Sequence, residues 1–88
     1  MKPSLLIVED DAALSELLVW QFENAGFAFD HTADGEEALL RAAEVPPDVI
    51  ILDWMIEQVP GIEVCRRLRR GQDTAQIPII MLTARSAE

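Results

Sequence analysis

Val49-Ile50-Ile51-Leu52-Asp53 is the stretch that decides the fold. Four apolar, β-favouring residues run without interruption into a single carboxylate. Such a run, lacking polar alternation, suits a strand buried on both faces, as in a parallel sheet. Open parallel sheets place their sites just beyond the carboxyl ends of the strands. Asp53 is therefore the candidate active group, and the remaining strands are judged by what they bring beside it.

Upstream, Pro46-Pro47-Asp48 breaks the chain after a short helix expected over Glu36 to Ala43, with Ala38, Leu39 and Ala42 inward. Asp34-Gly35 marks the turn before it. Phe27-Ala28-Phe29 begins a strand that reads as an edge. A helix from about Ala12 to Ala25 precedes it, with Leu14, Leu17, Leu18 and Phe22 at helical spacing. Gly26 suits its C-terminal stop. The first strand, Leu5-Leu6-Ile7-Val8, ends on Glu9-Asp10-Asp11, and Asp11 suits the cap of the helix that follows.

Downstream, Trp54 to Val59 reads as loop. Pro60 is expected as the first residue of a third helix, where its missing N–H costs nothing. Ile62, Cys65 and Leu68, with Val64, form the expected inner face. Gly71 to Gln76 is a polar connection. Pro78-Ile79-Ile80-Met81-Leu82 is a fourth strand that runs into Thr83. Strands alternating with helices in this way imply βαβ units and an α/β fold with a parallel sheet. One rim then receives Glu9 and Asp10, Asp53, and Thr83.

Carboxylates gathered at one rim repel one another, and one takes up a proton unless a cation intervenes. A hard cation with oxygen ligands, Mg²⁺ (or Mn²⁺), resolves the repulsion. Asp10, Asp53 and a backbone carbonyl just after Asp53 could hold it, with Glu9 reaching it directly or through water. A carboxylate oxygen can attack phosphorus to give an aspartyl phosphate. That transfer needs mainly positioning and charge stabilisation. The Thr83 hydroxyl could donate to a phosphoryl oxygen.

The bulk properties agree. At 88 residues the chain is expected to form one domain. Sixteen acids against seven basic residues give a formal net charge of −9, which disfavours direct binding of nucleic acid or an anionic membrane. The single cysteine, Cys65, excludes an internal disulfide, suits a reducing cytoplasm, and reads as a packed small hydrophobe. The apolar run after Met1-Lys2-Pro3-Ser4 is too short for a signal peptide or membrane span. Arg66, Arg67, Arg69 and Arg70 lie in the last turns of the third helix, where cations complement the helix dipole, and read as a solvated face. His31 reads as a surface residue at a strand end, and Trp20 and Trp54 as packing residues.

The chain resembles a response-regulator receiver domain of bacterial two-component signalling. The matching features are Val8-Glu9-Asp10-Asp11, Leu52-Asp53-Trp54-Met55, Gly61, and Pro78-Ile79-Ile80-Met81-Leu82-Thr83-Ala84-Arg85. Trp54-Met55 and Thr83-Ala84-Arg85 resemble the OmpR/PhoB transcription-factor branch, especially phosphate-regulon regulators. The resemblance implies a flavodoxin-like (CheY-like) sheet of order 2-1-3-4-5. It implies that Asp53 accepts a phosphoryl group from a sensor histidine kinase. Glu9 and Asp10 would form the acidic pocket, and Asp10, Asp53 and the Met55 carbonyl would hold Mg²⁺. Thr83 would be the switch hydroxyl. It also implies a cytoplasmic phospho-acceptor, not an enzyme, controlling a transcription-factor parent.

There are two departures from the family pattern. The family places a lysine at the end of a fifth strand, whereas the only lysine here is Lys2. The chain stops where the fourth helix would begin, so helix 4, strand 5 and helix 5 are expected to be missing, and no DNA-binding domain is expected in residues 1–88. That leaves Pro78 to Leu82 as an exposed edge, which would invite a homodimer or a domain-swapped oligomer. Glu57 stands where the family usually has proline, which adds a charge near the pocket and loosens the loop.

Competing classes fare less well. Aspartate-nucleophile phosphatases commonly need a second acid two residues after the nucleophile, where Met55 stands. A dinucleotide-binding domain needs a glycine fingerprint after the first strand, where Glu9-Asp10-Asp11 stands. The alternative from a different class is a truncated, signalling-inactive fragment that acts only as an interaction or swapped-dimer module.

Overall fold

In the computed structural model, residues 2–54, 56 and 59–82 are described. Their elements alternate as β1 (Ser4–Val8), α1 (Ala12–Asn24), β2 (Ala28–Thr32), α2 (Gly35–Glu44), β3 (Val49–Asp53), α3 (Gly61–Arg70) and β4 (Ile79–Leu82). The strands form one sheet of order β2-β1-β3-β4, parallel throughout. The expected α/β architecture is therefore present, with β2 and β4 at the two ends among the described residues.

Sheet residues divide by parity. Leu6, Val8, Ile50 and Leu52 face α2 and α3, packing with Ala38, Ala42, Val64 and Leu68. Leu5, Ile7 and Ile51 face the other way, against Leu18, Val19 and Phe22 of α1. Both central strands are thus covered on both faces, which explains why their sequences show no alternation.

The register of β1 on β3 is fixed at the start of the strands. Ser4 N–H donates to Asp48 Oδ2 at 2.7 Å, and Asp48 N–H donates to the Ser4 carbonyl at 3.0 Å. Leu5 then pairs with Val49, Ile7 with Ile51 and Val8 with Leu52. One further step places Glu9 opposite Asp53. The two acidic side chains share the parity of Ile7 and Ile51, so they emerge on one side of the sheet.

Helix ends follow local chemistry. The Asp11 carboxylate accepts the Leu14 N–H, as expected of the α1 cap. At the other end Gly26 has φ +95°, a left-handed conformation that glycine adopts without strain. Phe27 N–H donates to the Phe22 carbonyl and Gly26 N–H to the Glu23 carbonyl, closing a Schellman motif. The Phe22 and Phe27 rings meet edge to face at 5.5 Å and seal that turn.

Three details differ from the sequence reading. Helix α2 begins at Gly35, capped by Asp34, rather than at Glu36. Pro60 occupies the cap position of α3 with ψ 148°, so Gly61 is the first helical residue. Leu17, Trp54 and Ile62 are about half exposed, and Trp20 more so, rather than packed inward. At 3.6 residues per turn Ile62 lies about 160° around the helix from Val64, opposite the buried stripe of Gly61, Val64 and Leu68. Cys65 is half-buried on the flank of that stripe and packs against the core, as expected. Ile80 in β4 is 52% exposed.

Candidate functional site

The carboxyl ends of β1 and β3 bring Glu9, Asp10 and Asp53 together. One ligand oxygen from each lies within 4.8 Å of the others. Asp53 and Glu9 are buried, at 7% and 1% exposure, while Asp10 is open to solvent. The site is thus a rim pocket with two carboxylates inside and one at its mouth.

Glu9 shows what the pocket lacks. Its Oε2 accepts the Asp11 N–H at 2.9 Å. Its Oε1 is buried and finds no donor among the described residues. Burial pushes the Glu9 carboxyl up to about 7; the Asp11 N–H opposes that rise, while Asp53 and then Asp10 reinforce it. A buried acceptor without a donor costs free energy unless a proton or a cation reaches it. The donor set consists of hard oxygens, with no thiolate or imidazole among the clustered groups. Those ligands fit Mg²⁺ or Mn²⁺ rather than a soft metal.

The backbone that follows Asp53 is held by α3. Gly61 N–H donates to the Trp54 carbonyl at 3.0 Å, which satisfies a donor that Pro60 offers no side chain to cap. A Cβ on Gly61 would lie 2.8 Å from Trp54 Cα and would overlap the Asp53 carbonyl oxygen. Only glycine permits this approach, so the start of α3 is pressed against the turn that leaves the candidate site. Trp54 N–H in turn donates to the Leu82 carbonyl at 3.1 Å, tying the turn to β4.

His31 was missed as a contributor to this region. It is half-buried in β2, and its Nε2 lies 2.9 Å from the Glu9 carbonyl oxygen. Sequence spacing carries no sign of that contact, because it depends on β2 pairing beside β1. The arginine run behaves as expected. Arg66 and Arg67 pair with Glu63, Arg67 reaches Glu36, and Arg69 donates to the Ala75 and Ile77 carbonyls. Thr83, Met55 and Glu57 lie outside the described residues.

Residues 5–88 match the family described as "Response regulator receiver domain". The chain belongs to that family. It is 51% identical over 88 residues to the phosphate regulon transcriptional regulatory protein PhoB of Rhizobium meliloti (strain 1021), covering 100% of this chain and 39% of that protein. It is 40% identical over 85 residues to the PhoB protein of Pseudomonas aeruginosa, covering 97% of this chain and 37% of that protein. The receiver thus spans well under half the length of these curated relatives.

Solved receivers share the fold. The receiver domain of a Pseudomonas aeruginosa PAO1 sensor histidine kinase, with a magnesium ion coordinated in its active site cleft, matches with TM-score 0.96 and 25% identity, over 100% of this chain and 72% of that one. The chemotaxis response regulator CheY4 of Vibrio cholerae matches with TM-score 0.93 and 29% identity, over 99% of this chain and 72% of that one. The flavodoxin-like reading and the family resemblance therefore both hold. Among the described residues, no helix is long and apolar enough to cross a membrane.

Proposed function

We propose that this receiver accepts a phosphoryl group on Asp53 from the phosphohistidine of a sensor histidine kinase. The observation that carries the reading is the Glu9–Asp10–Asp53 cluster, with its buried Glu9 oxygen lacking a donor, at the carboxyl rim of a parallel sheet. Asp53 stands at the end of a central strand, where its carboxylate is fixed and reachable from the rim.

In the transfer, an Asp53 oxygen attacks phosphorus and the P–N bond to histidine breaks. The imidazole leaves with the electron pair and takes up a proton. The product is a mixed anhydride, which water later hydrolyses to aspartate and phosphate. Glu9, Asp10 and Asp53 would hold Mg²⁺, with the Met55 carbonyl as a further ligand. When bound, the ion would neutralise the phosphoryl oxygens and the clustered carboxylates. Glu9 contributes a buried negative charge behind the site, and Asp10 contributes one at its mouth. The Thr83 hydroxyl would donate to a phosphoryl oxygen and move the end of β4 with it.

The chain acts here as an acceptor and not as a turnover catalyst, beyond phosphorylating itself from a donor and losing the group again. Its similarity to transcriptional regulators of the PhoB type supports a cytoplasmic role in a longer protein that controls transcription. The assembled acidic cluster favours this reading over an inert interaction fragment.

Intact mass after incubation with Mg²⁺ and acetyl phosphate tests the assignment. One phosphoryl increment is expected in the wild type, none in Asp53→Asn, and none when the metal is chelated. Labelling that persists in a folded Asp53→Asn protein would refute Asp53 as acceptor.

A further inference from the structure

Resting on the reading of the pocket as a metal site, we infer that His31 is a positioning residue for it. The His31 ring holds the peptide group between Glu9 and Asp10, and so aims the two acids that follow β1.

Strand β1 ends at Val8, so the Glu9 backbone is the first beyond it. That backbone is gripped twice by β2. Glu9 N–H donates to the Thr32 carbonyl at 3.0 Å, and the Glu9 carbonyl faces His31 Nε2 at 2.9 Å. A carbonyl oxygen carries no hydrogen, so the contact requires hydrogen on Nε2, which then donates. The carbonyl belongs to the Glu9–Asp10 peptide plane. Its orientation sets where the Asp10 Cα goes, and Asp10 is the exposed acid with the most freedom to turn away.

The clamp is itself anchored. Arg41 of α2 donates to the His31 carbonyl at 2.9 Å and also pairs with Asp30 and Glu37. Glu37 accepts the Thr32 hydroxyl at 2.8 Å. Both β2 residues that hold Glu9 are therefore tied to α2, and neither can drift along an edge strand. His31 lines a groove with Ser15, Val19, Trp20 and Phe29, and its ring is held there by the contact with the Glu9 carbonyl. An N–H donor fixed in this way orients a metal ligand from behind, as groups beyond the ligands do in metal sites.

Calorimetric titration with Mg²⁺ tests this in His31→Phe, which keeps a ring but has no donor, and in His31→Gln, whose amide can reach the same carbonyl. His31→Phe is expected to weaken binding about tenfold, with His31→Gln within about twofold of the wild type. Folded His31→Phe protein with wild-type affinity would overturn the proposal, and so would a folded glutamine variant as weak as the phenylalanine one. A variant that fails to fold leaves the wild type to decide. Ring ¹⁵N shifts in the neutral state are expected to report hydrogen on Nε2; hydrogen on Nδ1 would overturn the proposal. Wild-type protein that takes up no Mg²⁺ would instead refute the reading of the pocket, and this proposal with it.

Discussion

Glu9 and Asp53 lie one step beyond the Val8–Leu52 pair of adjacent parallel strands, both buried, and one Glu9 oxygen is reached by no N–H or O–H among the described residues. A buried carboxyl group with an unmet acceptor beside another acid takes up a proton or a cation. That relationship makes the pocket sensitive to pH in a defined direction.

The folded Glu9 carboxyl sits near 7, above its ordinary value of 4.5, mainly because of burial. The folded state therefore holds a proton that the unfolded chain releases. The contribution to stability is fully present below about 4.5 and is lost as pH rises through about 7. In metal-free protein, thermal melts across this window should show the wild type losing stability relative to Glu9→Gln, by on the order of 1–3 kcal/mol. Parallel profiles for the two proteins would contradict the buried-acid account.

Metal should compete with that proton. Mg²⁺ affinity is expected to rise with pH up to about 7, where the Glu9 proton is lost, and binding below that pH should release protons. Calorimetry in two buffers of different ionisation enthalpy measures the release directly. Identical heats in both buffers near pH 6 would argue that Glu9 is already ionised.

Gly61→Ala should do two things at once, because the added methyl would collide with the backbone of Asp53 and Trp54. A loss of about 1–3 kcal/mol is expected from the overlap, together with weaker Mg²⁺ binding. Leu68→Ala, a cavity at a residue 2% exposed, should cost about 2–5 kcal/mol while leaving affinity close to wild type in protein that remains folded. Urea melts paired with metal titrations separate the two effects. If Gly61→Ala binds metal normally, contact with α3 does not shape the site.

Ile80 projects from β4 at 52% exposure, and an apolar strand that ends the sheet among the described residues is a template for strand pairing. Self-association of this 88-residue chain is expected to grow with salt, as the repulsion from its −9 charge is screened. Ile80→Lys should suppress it. Sedimentation velocity at low and high salt is the measurement, and an unchanged distribution in the variant would remove β4 from the contact.

Much of this was readable in the chain itself. β1 and β3 were clear because strands covered on both faces must be apolar throughout, so an acid at their ends stands out. Asp11 and Gly26 announced the ends of α1 through chemistry that acts within a few residues. Ile62 misled because an apolar residue beside Gly61 looks like core, although the helix turns it to the far side from Val64. His31 could not be found from spacing, since its contact with Glu9 arises from strand pairing across 22 residues. Local patterns reveal elements and caps; contacts that depend on which strands become neighbours do not show in them.

The parity of the sheet has an evolutionary corollary. Ile51 and Asp53 face one side of β3, while Ile50 and Leu52 face the other. Inserting or deleting one residue between Val49 and Leu52 would turn the acid away from Glu9 and exchange the two packing layers in the same event. Substitution can erase the carboxylate and spare the fold, but a frame slip cannot. Descendants of this chain that lose the pocket should therefore do so by replacement at Asp53, with the length of β3 unchanged.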